Sequence, residues 1–150
     1  MFNSLTHSHV FVLDQDEALD FYFGKLGLEV RADVDLEFMR WLTVNVPGQP
    51  DREILLEIPG GPFMPEGAAE QIRDLLSKGA LGLGMILTTS DCRGTYEALR
   101  AKSVEFTQEP TERFYGIDSA LRDPFGNSVR ITEPAEVMGE PPASGNTTTA

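Results

Sequence analysis

The chain has one cysteine, two histidines and one tryptophan in 150 residues, and only 12 lysines and arginines against 24 aspartates and glutamates. Each scarcity removes a class of protein. A lone Cys92 excludes an intrachain disulfide and any cysteine-rich zinc site. At an expected helix start it has the setting of a reactive thiol, but the default for such a residue is a small buried side chain. A formal net charge of −12 leaves no cluster of cations to neutralise phosphates, so nucleic acid is not an expected partner. No apolar run approaches the roughly 18 residues that cross a bilayer, so no membrane partner is expected either. Met1 to Val12 carries no basic segment ahead of its apolar stretch, so it does not read as a secretory leader, and the cytoplasm is the expected location. The acidic surface favours solubility and would draw cations toward any acidic cleft.

What is present is patterned. Thr6 to Leu13 alternates with the period of a strand, placing His7, His9, Phe11 and Leu13 on one face and Ser8, Val10 and Val12 on the other. Asp14 to Glu17 suits the start of a helix whose buried stripe is Ala18, Phe21, Tyr22 and Leu26, with Gly27 as its stop. Extended runs follow at Leu28 to Ala32, Phe38 to Val46 and Glu53 to Ile58. After Pro59-Gly60-Gly61-Pro62, the spacing predicts a linking helix over Glu66 to Lys78 that buries Ala69, Ile72, Leu75 and Leu76.

From Gly82 the pattern restarts. Met85 to Thr89 reads as a strand, and Ser90-Asp91 caps a helix that buries Cys92, Tyr96 and Leu99. Extended runs come at Val104 to Thr107, Phe114 to Arg122 and Ser128 to Thr132, with Asp123-Pro124-Phe125-Gly126-Asn127 as a tight turn. Gly79, Gly82 and Gly84 lack the following Lys-Ser/Thr of a phosphate loop, and read as room for the crossover to pass close to the sheet. This is a repeat of pattern: module one at about 5–60, module two at about 82–134, within a single domain at 1–135. The composition of 136–150 predicts a disordered tail. Two such halves side by side can enclose a cup, where small ligands bind.

The stretch from Asp14 through Phe21-Tyr22 to Leu26-Gly27 resembles the first helix of glyoxalase-type proteins. Tyr115-Gly116-Ile117-Asp118 followed by Arg122-Asp123-Pro124-Phe125-Gly126-Asn127 resembles their last hairpin. On these motifs the chain resembles the vicinal oxygen chelate superfamily, which includes glyoxalases, bleomycin-resistance proteins and extradiol dioxygenases. The resemblance implies an α+β fold of two βαβββ modules, eight strands in a mixed cup-shaped sheet with helices outside, paired into homodimers. It also implies four metal-ligand positions, which fall here on His7, Glu57, Gly84 and Arg130. The first two retain ligand types suited to zinc, nickel, manganese or iron. Gly84 has no side chain and Arg130 is a permanent cation, so module two has lost both.

The expectation is therefore a cup without a metal cofactor, with a Glu57–Arg130 ion pair at its base, that binds a small organic molecule. His7 and Glu57 are the candidate catalytic residues and, only if a divalent ion is present, its ligands, with a three-ligand site of His7, His9, Glu57 and water as the alternative. His9, Trp41, Tyr115, Asp118 and Arg130 are the candidate ligand-binding residues, and Arg40 and Arg122 are of the type that binds an anionic substrate group, with solvated surface as their default reading. Metal-dependent lyase, isomerase or dioxygenase chemistry stays open beside drug sequestration of the bleomycin-resistance type, and true glyoxalase I activity is not expected.

Overall fold

In the computed structural model, which describes residues 1–143, the chain forms two four-stranded sheets. Strand β1 (His7–Phe11) leads into helix α1 (Gln15–Leu19), and β2 (Glu29–Asp35), β3 (Arg40–Asn45) and β4 (Glu53–Glu57) complete module one. Helix α2 (Ala68–Ser77) links it to β5 (Leu83–Thr88), α3 (Cys92–Ala101), β6 (Glu105–Arg113), β7 (Gly116–Arg122) and β8 (Ser128–Pro134). The sheets have equivalent orders, β1-β4-β3-β2 and β5-β8-β7-β6, each with one parallel pair at the edge and two antiparallel pairs. This is the α+β fold of two βαβββ modules.

The helix starts are alike in both modules. Asp14 and Asp91 are each extended at φ −148°, and each side chain accepts the backbone N–H three residues on, from Glu17 at 2.9 Å and Gly94 at 2.8 Å. A carboxylate there satisfies an orphan donor and meets the positive helix end. After Leu19, α1 widens over Asp20–Lys25, and the N–H of Leu26 reaches the carbonyl of Phe21 five residues back at 2.9 Å. The wider turn lets the neighbours Phe21 and Tyr22 both face inward. Gly27 then ends the helix at φ +75°.

Each sheet has one face packed on its helix. Val10, Val12, Leu42, Val44 and Leu56 of module one join Cys92, Leu99, Leu121, Val129 and Ile131 of module two in one continuous core. Cys92 is fully buried within it, the setting of a small apolar side chain. The modules are also joined by polar contacts. The Tyr22 hydroxyl donates to Asp123 Oδ2 at 2.7 Å, and Asp123 Oδ1 accepts the N–H groups of Phe125, Gly126 and Asn127 at 2.8 to 2.9 Å. Asn127 Nδ2 in turn donates to the carbonyl of Phe11 at 2.7 Å. The Asp-Pro-Phe-Gly-Asn turn is thus folded around one carboxylate and clamped onto the end of β1.

Two local expectations are corrected. The run expected as one strand from Phe114 is a hairpin, with β6 extending to Arg113 and β7 starting at Gly116. Along α2, Leu76 is buried and Ala69 and Ile72 half-buried, but Leu75 is exposed, because the helix covers the sheets with a narrower stripe than its pattern offers. In the tail, 136–143 form neither helix nor strand, although the N–H of Gly139 donates to the carbonyl of Phe114 at 2.7 Å. The rest of that expectation, at 144–150, lies outside the described residues.

Candidate functional site

The faces of the sheets turned away from the helices carry the candidate residues. Strand alternation puts His7, His9 and Phe11 of β1 on this open face, as the sequence pattern predicts. The parallel partner β4 contributes Glu53, Leu55 and Glu57, and β3 contributes Trp41 and Thr43.

His7 and Glu57 do not pair. The register sets His7 opposite Glu53 and Phe11 opposite Glu57. Two separate pairs result: His7 Nε2 to Glu53 at 3.0 Å, and His9 Nδ1 to Glu57 at 3.1 Å. Thr43 donates to Glu53 at 2.7 Å, and the Trp41 ring lies 6.0 Å from that of His7. Glu53 was not singled out in the sequence, although it stands four residues before Glu57 on the same strand and so shares its face.

In module two, Arg130 does not reach Glu57, and the expected ion pair is replaced. Its guanidinium is held by Asp118 of the neighbouring strand β7, through Nε at 3.1 and 3.3 Å and also through Nη2. Nη2 further donates to Gln108 Oε1 at 3.1 Å. Asp118 is fully buried and also accepts from the Tyr115 hydroxyl at 2.9 Å and from Thr132. Burial alone would raise the Asp118 carboxyl, but the hydrogen bonds of Arg130 and Tyr115 outweigh it and hold the group below the ordinary carboxylate range. Burial and Asp118 together push the Tyr115 hydroxyl up, and Asp118 raises Arg130. Asp118, a candidate ligand contact in the sequence, is therefore the residue that positions Arg130. Gln108 and Thr132 complete that setting and carry no sequence signal beyond strand alternation.

Gly84 lies where β5 slips register between Leu83 and Met85, and a Cβ there would stand 2.9 Å from the carbonyl oxygen of Ser128. The backbone is too close to β8 for a side chain. The four positions that the resemblance assigns to a metal thus present a histidine and a carboxylate with separate partners, an unsubstituted backbone and a bound cation. This set does not fit a four-ligand ion. Among the described residues, no three His, Cys, Asp or Glu side chains are grouped to hold one.

Beside Glu57 lies a cavity of about 500 Å³, lined by Gln15, Phe38, Met39, Glu57, Phe63 and Met64 together with the prolines and glycines of 59–65. Gln15, buried, fixes its floor by donating to the carbonyls of Arg40 at 3.0 Å and Leu56 at 2.9 Å. Phe38 and Phe63 meet edge to face at 6.3 Å. A second cavity of about 300 Å³ follows the seam where β1 and β5 approach, and brings His7 and Glu53 to the same groove as Ile86. Arg40 also lines the cavity beside Glu57, with its guanidinium bridging Asp16 and Asp33 at 2.8 Å, whereas Arg122 donates to the carbonyl of Gly126.

Paired βαβββ modules with these open faces define a class, and the sequence model of the Glyoxalase/Bleomycin resistance protein/Dioxygenase superfamily matches residues 4–131. The chain belongs to that superfamily. Among individual relatives, it is 34% identical to the uncharacterized protein YurT of Bacillus subtilis over 83% of this chain and 94% of that protein. The solved structure of UcmS2 is 40% identical with a TM-score of 0.82, covering 89% of this chain and 99% of that one. TnmS3, described as an antibiotic binding protein from Streptomyces sp. CB03234, is 27% identical with a TM-score of 0.71, covering 89% and 98%.

Proposed function

We propose that the protein binds and sequesters a small, largely apolar organic molecule on the open faces of its sheets, without the four-ligand metal of its enzymatic relatives. The observation that carries this reading is the cavity beside Glu57. Aromatic rings, methionines and prolines wall it, with Gln15, Arg40 and Glu57 as its polar groups, which is the composition of a site that holds a small organic ligand. The description of TnmS3 as an antibiotic binding protein supports the same class of function. With Glu57 in contact with His9 and Arg130 paired with Asp118, these polar groups already have partners, so binding draws on apolar contact and stacking.

The reading includes a cytoplasmic homodimer. Val34 on the open face of β2 and Ile86 on that of β5 are largely exposed, and a second copy would cover both. Among the described residues, no helix is long and apolar enough to cross a membrane.

The test incubates purified protein with a panel of aromatic antibiotics, follows thermal stability, and recovers each compound for mass spectrometry. Stabilisation with the compound recovered unchanged is the expected result. A stoichiometric divalent metal in protein purified without chelator, lost in Glu57→Ala, would sink the proposal, as would consumption of the bound compound.

A further inference from the structure

The cavity beside Glu57 has two banks that are held differently. Phe38 and Met39 belong to the tight connection between β2 and β3, where the N–H of Leu36 donates to the carbonyl of Met39 at 2.8 Å. The opposite bank, Gly60 to Met64, makes a single hydrogen bond among the described residues. It runs from the N–H of Met64 to the carbonyl of Gly61 at 3.4 Å and is internal to the segment. Both ends of this strap are fixed: Pro59 is fully buried with its carbonyl accepting from Arg73 at 3.1 Å, and α2 begins at Ala68. Beside the first anchor stand Gly60 at φ +124° and Gly61 at φ +99°, and beside the second stands Gly67 at φ +80°. Glycine turns through such torsions at low cost, and a Cβ on Gly61 would meet nothing within 4 Å, so the pivot has room. Pro62 and Pro65 lock their own φ and offer no N–H, which stiffens the strap between its pivots. Phe63 at the tip is 90% exposed and meets Phe38 at 6.3 Å. A segment with so few bonds opens and closes at little cost, and its exposed ring gains by covering another apolar surface.

We propose that residues 60–64 are a lid, which swings about its flanking glycines to lay Phe63 over a ligand in this cavity, and that Phe63 is a ligand-binding residue. This rests on the binding reading above and assigns the part of that site that moves. A small organic ligand buries most of its surface in its site. Here the fixed residues supply a floor at Gln15 and a wall at Phe38 and Met39, so the cover has to come from the strap. Closure moves the Phe63 ring from water onto the ligand, and Met64 travels on the same strap. The lid also selects the ligand: Pro62, Phe63 and Met64 bring neither charge nor a side-chain donor, so the outer end of the compound they cover is an uncharged apolar ring.

The test uses N-phenyl-1-naphthylamine, an uncharged apolar probe that fluoresces on leaving water. Its binding is expected to be lost in Met39→Lys, which puts a charge into the fixed wall. No binding to wild type, or binding that survives Met39→Lys, brings this proposal and the binding reading down together. Chymotrypsin, which cuts after aromatic residues, should cleave the free protein at the exposed Phe63–Met64 bond. Saturating probe should slow that cut about ten-fold, while the cut after Phe2, also 90% exposed, keeps its rate. In stopped flow, Phe63→Ala should release the probe about ten-fold faster, as follows from removing part of an aromatic contact. Because Phe63 is exposed, that variant folds as wild type does. Cleavage at Phe63 that is equally fast with probe bound, or a release rate unchanged in Phe63→Ala, overturns the lid and leaves the open cavity standing. Cleavage that is slow in the free protein and quickens on dilution would mean that a second copy covers Phe63, which overturns the lid as well.

Discussion

The two modules share topology, helix caps and a core, yet their open faces have gone opposite ways. Module one keeps exposed pairs at its surface, His7 with Glu53 and His9 with Glu57, each partly solvated. Module two buries one carboxylate completely and makes a cation depend on it. A repeat can therefore conserve its architecture through the apolar positions of the helix-covered faces while the opposite faces diverge, since substitutions there leave the shared core untouched.

The sharpest way to break the comparison is through that core. Leu56→Ala in module one and Leu121→Ala in module two are both fully buried truncations, and each is expected to cost about 3–4 kcal/mol in urea unfolding. A single cooperative transition in both variants is the expected form, because one cluster contains both residues. Two transitions would mean that the modules unfold separately.

Next in size is the contrast between the open faces. Asp118→Ala leaves the half-buried Arg130 without its partner, and about 2–3 kcal/mol of destabilisation is expected. Glu57→Ala, whose His9 partner is half exposed, is expected to cost less than about 1 kcal/mol. Similar losses at the two sites would remove the distinction between them.

The joint between modules comes third. Tyr22→Phe removes a buried hydrogen bond to Asp123 and is expected to cost about 1–2 kcal/mol. Burial, then Asp123, raises the Tyr22 hydroxyl well above the ordinary tyrosine value. That contribution is complete below the unfolded value of 10.0 and is lost as pH rises beyond it. Wild type should therefore lose stability in alkali more steeply than Tyr22→Phe.

The smallest expected effect is in acid. The folded Asp118 carboxyl lies below its unfolded value of 3.8, so its contribution is present above that value and lost as pH falls through the folded one. Asp118→Asn should flatten this acid limb of stability against pH, and an unchanged limb would assign it to other carboxylates.

Strand alternation was enough to put His7 and His9 on the face opposite Val10, and the Asp-opened helices with their glycine stops made both modules legible. The pairing of charges was not. Arg130 could be assigned to β8 and Glu57 to β4, but which carboxylate meets the arginine depends on the β7–β8 register and on how the sheets lie to each other, neither of which a linear pattern contains. Asp118 looked like a ligand contact because it falls in a strand with the right alternation, and its burial follows from Tyr115, Thr132 and Arg130 closing over it. The cavity beside Glu57 escaped for another reason. Its walls come from Phe38, Phe63 and Met64 in connections, whose positions follow from the packing around them and have no period to read.

The clamp of Asn127 on the carbonyl of Phe11 bridges a sequence separation of 116 residues. A contact so distant along the chain is among the non-local ones whose loop-closure cost must be met before they add stability. During synthesis, the first module would leave the ribosome with the end of β1 and the Tyr22 hydroxyl still waiting for partners encoded near the other terminus. A chain cut before Asp123 would lack both partners at once, so the last hairpin acts as the closure on which the beginning of the molecule depends.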